Sequence, residues 1–155
     1  MGLRRVVLTT LLLAMPVLSL LATASVEVNA NPYVFDIDDT NLTGGAGTGF
    51  DDWYESAASA KTVSVLFPSG NWRVDVSRSD IAWDSDLQVY VRRTGGSVTG
   101  GSNYQQITTT ATTFFSGTGW AFVPVQYRIS GNFIALGVSP GLYRTVVTYT
   151  LYDDL

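Results

Sequence analysis

Apolar side chains in this chain recur at every second position, in short runs separated by Gly and Pro, and that period leaves little room for anything but β-strand. Val63, Val65 and Phe67 share one face of Lys61 to Phe67. Trp72, Val74 and Val76 share one face of Asn71 to Ser77, and Pro68-Ser69-Gly70 between the two runs predicts a hairpin. Leu87, Val89 and Val91 alternate with Gln88, Tyr90 and Arg92, as in a strand with one face buried. Arg92-Arg93 closes that strand before a polar loop punctuated by Gly95-Gly96 and Gly100-Gly101.

From Tyr104 a Thr-rich extended segment runs through Ile107 to Phe114-Phe115. Trp120 to Ser130 follows it and carries Phe122, Val125, Tyr127 and Ile129. Pro cannot donate to a ladder, so Pro124 predicts an edge strand, a bulge or a crossing between sheets, with a change of register there. The last run, Leu142 to Tyr152, places Tyr143, Thr145, Val147, Tyr149 and Leu151 on one side. A single segment, Asp51 to Ala60, suggests helix, because Asp52 and Glu55 have capping-box spacing ahead of an Ala-rich stretch. Seven or eight short strands with turn signals about every ten residues predict an all-β fold. The expected architecture is an immunoglobulin-like antiparallel β-sandwich with Greek-key connections and at most one short helix.

The chain begins with Arg4-Arg5, an apolar stretch from Val6 to Leu21, and Ala22-Thr23-Ala24. A basic start, an apolar core and a small-x-small site make up a secretory signal peptide, so residues 1–24 are expected to be removed and the chain exported. General secretion is expected rather than twin-arginine export, since little of that consensus accompanies the Arg pair. Next come Val26, Val28 and Ala30 at even positions, then Tyr33, Phe35 and Ile37 at odd ones. A switch of face at Asn31-Pro32 means that the chain bends there. Residues 25–32 thus read as an N-terminal extension and 33–155 as the sandwich domain.

Composition narrows the chemistry. Without its leader the chain keeps seven Lys and Arg against thirteen Asp and Glu, a net charge near −6 in place of −4 for the full sequence. Arg92-Arg93 is the one close basic pair left, which disfavours nucleic acid and anionic lipid surfaces as partners. No later apolar run reaches the about 20 residues that span a bilayer, so no membrane insertion is expected after signal cleavage. The sequence has no Cys, which removes disulfides, thiolate metal sites and cysteine nucleophiles, and no His, which removes the commonest general base. No catalytic residues and no cofactor are expected.

Three constellations remain. Asp36, Asp38 and Asp39 precede the Gly-rich run Thr43 to Gly49, and Asp51, Asp52 and Glu55 follow it. Such carboxylates could supply calcium with oxygen ligands, but the EF-hand template fails at Gly47, and a solvated acidic rim with a helix cap is the preferred reading. Trp53, Tyr54 and Trp83 stand beside acids and could stack on a sugar or another surface ligand. The plainer reading has Trp72 and Trp120 filling the core, with Trp53 or Trp83 covering its ends. Asn41-Leu42-Thr43 matches a glycosylation acceptor, a pattern that is common by chance. Carboxylate pairs for glycoside hydrolysis, and Ser or Thr nucleophiles lacking a His partner, are attributed to chance spacing.

The ending Ser139-Pro-Gly-Leu-Tyr-Arg-Thr-Val-Val-Thr-Tyr-Thr-Leu-Tyr152 resembles the terminal strand of secreted fimbrial subunits and spore-coat-U-like domains. Ser25-Val-Glu-Val-Asn-Ala30 is similar to the amino-terminal arm of pilins. The resemblance implies an incomplete sandwich completed by the arm of the next subunit, with Val26, Val28 and Ala30 as the assembly strand, self-association into a polymer, and a role at the cell surface in fimbriae and adhesion. This chain presents fewer arm anchors than such subunits usually do, and Asp153-Asp154-Leu155 runs past the usual terminal Tyr. The expectation is a secreted or surface-located structural subunit without enzymatic activity. The alternative is a secreted module that binds carbohydrate or another surface ligand through Trp53, Tyr54 and Trp83.

Overall fold

The computed structural model describes residues 23–29, 31–37, 49–130 and 141–153. The stretch up to residue 22 expected to be a signal peptide, Ala30, Asp38, Asp39 and the triplet Asn41-Leu42-Thr43 lie outside the described residues.

Nine strands form, and no helix, among the described residues. They are β1 (Ser25–Val28), β2 (Trp53–Glu55), β3 (Lys61–Leu66), β4 (Asn71–Ala82), β5 (Val89–Arg93), β6 (Gln105–Gln106), β7 (Thr112–Thr118), β8 (Ala121–Ser130) and β9 (Arg144–Asp153). One sheet has the order β1-β3-β8-β5-β6, with β2 also on β8; the other has the order β7-β4-β9. Every pairing is antiparallel, and the two sheets pack face to face as a β-sandwich. The all-β two-layer expectation is met, with nine strands in place of seven or eight.

The segment expected to be helical, Asp51 to Ala60, is strand β2 followed by a turn. Trp53, Tyr54 and Glu55 pair with Ser130, Ile129 and Arg128, so burial against the central strand overrides a weak capping signal. Ser56 prolongs the ladder: its N–H donates to Tyr127 O at 2.9 Å, and its Oγ accepts from Tyr127 N at 2.8 Å. After the turn the chain rejoins β8 as β3, with Lys61 opposite Val125.

The hairpin expected across Pro68-Ser69-Gly70 is a crossing between layers, since β3 lies in one sheet and β4 in the other. Phe67 leaves the strand with φ of 54°, a conformation strained for an aromatic residue, and is 44% exposed rather than sharing the Val63 and Val65 face.

Pro124 also differs from expectation, because β8 lies in the interior of its sheet with an unbroken register to β3 and β5. Ala121, Val123, Val125, Tyr127 and Ile129 all face the core, and Phe122 points outward. The proline is tolerated because β5 ends at Arg93. Thr94 N donates to Pro124 O at 2.9 Å, which places the proline nitrogen on that same side, beyond the end of the neighbouring strand.

Val63, Val65, Val89 and Val91 join the β8 residues from the larger sheet, and Trp72, Val74, Val76, Phe114 and Phe115 meet them from the smaller one. Phe114 and Phe115 are sequence neighbours, yet both are buried. The pairing skips Phe114, passing from Val74↔Phe115 to Asp75↔Thr113, and this bulge turns two adjacent rings inward. Trp72 fills the core as expected, with its Nε1 donating to Gly119 O at 2.8 Å. Trp120 does not: it is 59% exposed and meets Phe67 edge to face, with ring centroids 4.7 Å apart.

Candidate functional site

The two lateral seams of the sandwich are closed differently. On the β6–β7 side, segments flanking the strands are stitched by backbone bonds. Thr99 and Ser116 exchange both N–H···O bonds, at 2.8 and 2.9 Å, and Arg78 N donates to Thr108 O at 2.8 Å. Gln105 Nε2 adds bonds to Thr112 Oγ1 and Thr113 O.

On the opposite side β1 and β9 are the facing edges, and the segment that carries β1 does the closing. Ser25, Val26, Glu27 and Val28 pair with Leu66, Val65, Ser64 and Val63, so the extension lies on its own sheet rather than standing apart. Val26 packs against the core, while Val28 is 36% exposed at its margin. Lys61, buried at the start of β3, donates from Nζ to Asn29 O at 3.2 Å and to Asn31 O. The single lysine of the chain thus holds the bend read from the sequence at Asn31-Pro32, and burial pulls the pKa of its amine down. Beyond the bend, Tyr33 meets Phe35 edge to face at 5.0 Å and lies 6.2 Å from the Tyr127 ring, and Phe35 packs on the core. The hydroxyls of Tyr127 on β8 and Tyr149 on β9 bond across the interior at 2.9 Å. Burial pushes the Tyr127 phenol up to about 12 and the Tyr149 phenol well above its ordinary value, the latter helped by the Tyr127 hydroxyl.

Trp53, Tyr54 and Trp83 are not assembled into one surface. Trp53 lies on the outer face of the larger sheet and is 39% exposed. Tyr54, the next residue along β2, points to the opposite face, opposite core-facing Ile129. Trp83 packs against the core, with its Nε1 donating to Leu87 O at 2.9 Å and the Arg78 guanidinium 5.3 Å from its ring.

Around Trp53 the outer face gathers side chains that the sequence reading had not connected. The Arg128 guanidinium lies 4.0 Å from the Tyr104 ring centre, 4.5 Å from Trp53 and 5.5 Å from Tyr90, and Arg92 lies 4.6 Å from Tyr104. Trp53 and Tyr90 meet edge to face at 5.4 Å. Gln126, buried at the centre, accepts at Oε1 from Arg92 Nε and Nη2 at 3.0 and 2.8 Å and donates from Nε2 to Ser56 O at 2.8 Å. Glu55 approaches Arg128 at 3.9 Å and Gln126 at 3.4 Å. Burial, then the Glu55 carboxylate, raises the pKa of the Tyr104 phenol. Period two was the available signal: Tyr90 and Arg92 alternate with Val89 and Val91, and Gln126 and Arg128 with Val125, Tyr127 and Ile129.

Of the carboxylates weighed for calcium, Asp36, Asp51 and Asp52 are exposed, and the helix cap assigned to Asp52 is replaced by the start of β2. No group of three His, Cys, Asp or Glu suited to a metal occurs among the described residues. No family model, no curated protein and no solved structure matches the chain.

Proposed function

We propose that this chain is an exported structural subunit of a surface filament or coat, without enzymatic activity, that assembles by exchanging its terminal strand between copies. What supports the reading is the way residues 25–37 close the β1–β9 seam. The four-residue ladder on β3, the Lys61 bonds to Asn29 and Asn31, and the packing of Tyr33 and Phe35 are all contacts between a terminal segment and the body. None of them requires segment and body to belong to one molecule. In the sequence the Gly-rich run Thr43 to Gly49 lies between the two. Seating the segment in the next copy keeps every pairing, and because such a contact is heterologous and does not close, repetition yields a fibre.

The register supplies the test. Glu27 lies opposite Ser64, and the sequence has no Cys, so Glu27→Cys with Ser64→Cys creates a lone reporter pair. Exchange predicts a ladder of covalent multimers on a non-reducing gel after oxidation, together with filaments by electron microscopy. A single monomeric band with an internal disulfide at high protein concentration sinks the reading.

A further inference from the structure

We propose that the end of the six-stranded sheet that carries Phe67, Trp120 and Phe122 is a lipid-contacting surface, which rests on a bilayer of neutral headgroups while the apolar segment Val6 to Leu21 is attached. The inference rests on the export reading of that segment and not on strand exchange. Two observations carry it. First, three large rings are exposed together. Phe122 lies on the outer face of β8 opposite Ser64, Trp120 precedes it on the same side, and Phe67 meets Trp120 edge to face at 4.7 Å. Phe67 is 44% exposed, and Trp120 and Phe122 are each 59% exposed. Their outward setting is built into the backbone. A left-handed φ of 54° takes Phe67 off the core-facing side of β3, and Gly119, at φ 64°, makes the turn into Trp120. The Gly119 carbonyl is in turn held by the indole N–H of core residue Trp72 at 2.8 Å.

Second, the path of the chain identifies the occupant. Ser25 stands opposite Leu66, and Val65 opposite Ala121, so Ser25, Leu66 and Trp120 form one row across β1, β3 and β8. Two strand spacings put Trp120 about 10 Å from Ser25. Upstream of Ser25, the apolar stretch ends at Leu21, and those four residues span at most about 14 Å. With Val6 to Leu21 in a bilayer, so short a connection brings the rings to its surface, the boundary at which aromatic side chains are favoured. A soluble partner has no such tie to this end of the sheet.

Charge decides the kind of lipid. By register, the outer-face positions around the rings are Ser25 and Glu27 on β1, Ser64 and Leu66 on β3, and Trp120 and Phe122 on β8. Glu27 carries the one charge among them, and it is acidic. Burial of apolar surface therefore drives the contact, which is insensitive to salt and gains nothing from anionic headgroups.

The test uses the full chain, residues 1–155, purified in detergent and reconstituted into phosphatidylcholine vesicles with or without bromine on the acyl chains. Flotation reports attachment through Val6 to Leu21, and quenching of tryptophan by bromine reports contact of the rings with lipid. The expected result is a quenched component that Trp120→Phe removes and that Trp53→Phe, at the other end of β8, leaves in place. Phe67→Ser combined with Phe122→Ser should lower the quenching of Trp120 at least about twofold with flotation unchanged, because mere proximity would not need the neighbouring rings. Raising salt should change neither readout, and circular dichroism melts of each variant separate lost contact from lost folding. A floating chain that is not quenched, quenching that survives Trp120→Phe, or equal quenching after the double serine change overturns the proposal while leaving the export reading intact. A chain that does not float overturns both.

Discussion

Single residues on the inner walls show how narrowly this sandwich is fitted. A Cβ at Gly117, which lies opposite Trp72 on the neighbouring strand, would meet the indole at 2.8 Å. Gly117→Ala should therefore cost about 1–3 kcal/mol, read as a lower denaturation midpoint at unchanged slope. The Tyr127–Tyr149 hydroxyl pair adds a dependence on pH. Tyr127 holds its proton up to about 12 in the fold, whereas an unfolded tyrosine loses it near 10. Between those values the unfolded chain binds fewer protons, so stability is fully present below pH 10 and falls as pH rises toward 12. The slope is about 1.4 kcal/mol per pH unit for each tyrosine that stays protonated. Urea titrations at pH 9, 10 and 11 should show that decline, and Tyr127→Phe should flatten it. An equal slope in both proteins would detach the effect from this pair.

At the level of elements, period two was enough for β3, β4, β5 and β9, where one face meets the core and the other faces out. Val147, Tyr149 and Leu151 pack inward on the side assigned to them. The pattern failed wherever the deciding partner was remote in sequence. Adjacent Phe114 and Phe115 break the alternation through a bulge set by the pairing with β4, which no local signal marks. Pro124 looked like an edge residue because its tolerance depends on β5 stopping at Arg93. The supposed hairpin at Pro68 failed because turn residues serve a crossing between layers as readily as a reversal within one. The cluster around Trp53 was partly legible: alternation puts Gln126 and Arg128 on one face, but their meeting with Tyr104 depends on the path of a long loop. An element-scale prediction follows from the bulge. Phe114→Ala should destabilise by about 3–5 kcal/mol, comparable to loss of an ordinary core aromatic, because the ring is buried despite its irregular position. A loss under 1 kcal/mol in chemical denaturation would show that the bulge leaves this ring outside the core.

Across the whole molecule the unequal seams dominate. Lys61→Met retains the apolar stem but removes the donors that hold Asn29 and Asn31. Because those carbonyls belong to exposed residues that water can reach, the body should keep its melting temperature within a few degrees. Residues 25–37 should lose amide protection in hydrogen exchange, and the covalent ladder of the Glu27–Ser64 cysteine pair should form faster. Unchanged protection in that segment would mean that the ladder on β3 alone holds it.

The β1–β9 seam also joins strands far apart in sequence, the earliest and the latest among the described residues. A chain emerging amino terminus first cannot finish this contact until β9 has followed it out. Closure of this seam therefore waits for β9, and the long stretch of chain between the two strands makes it a slow step that leaves β1 without its facing edge until then.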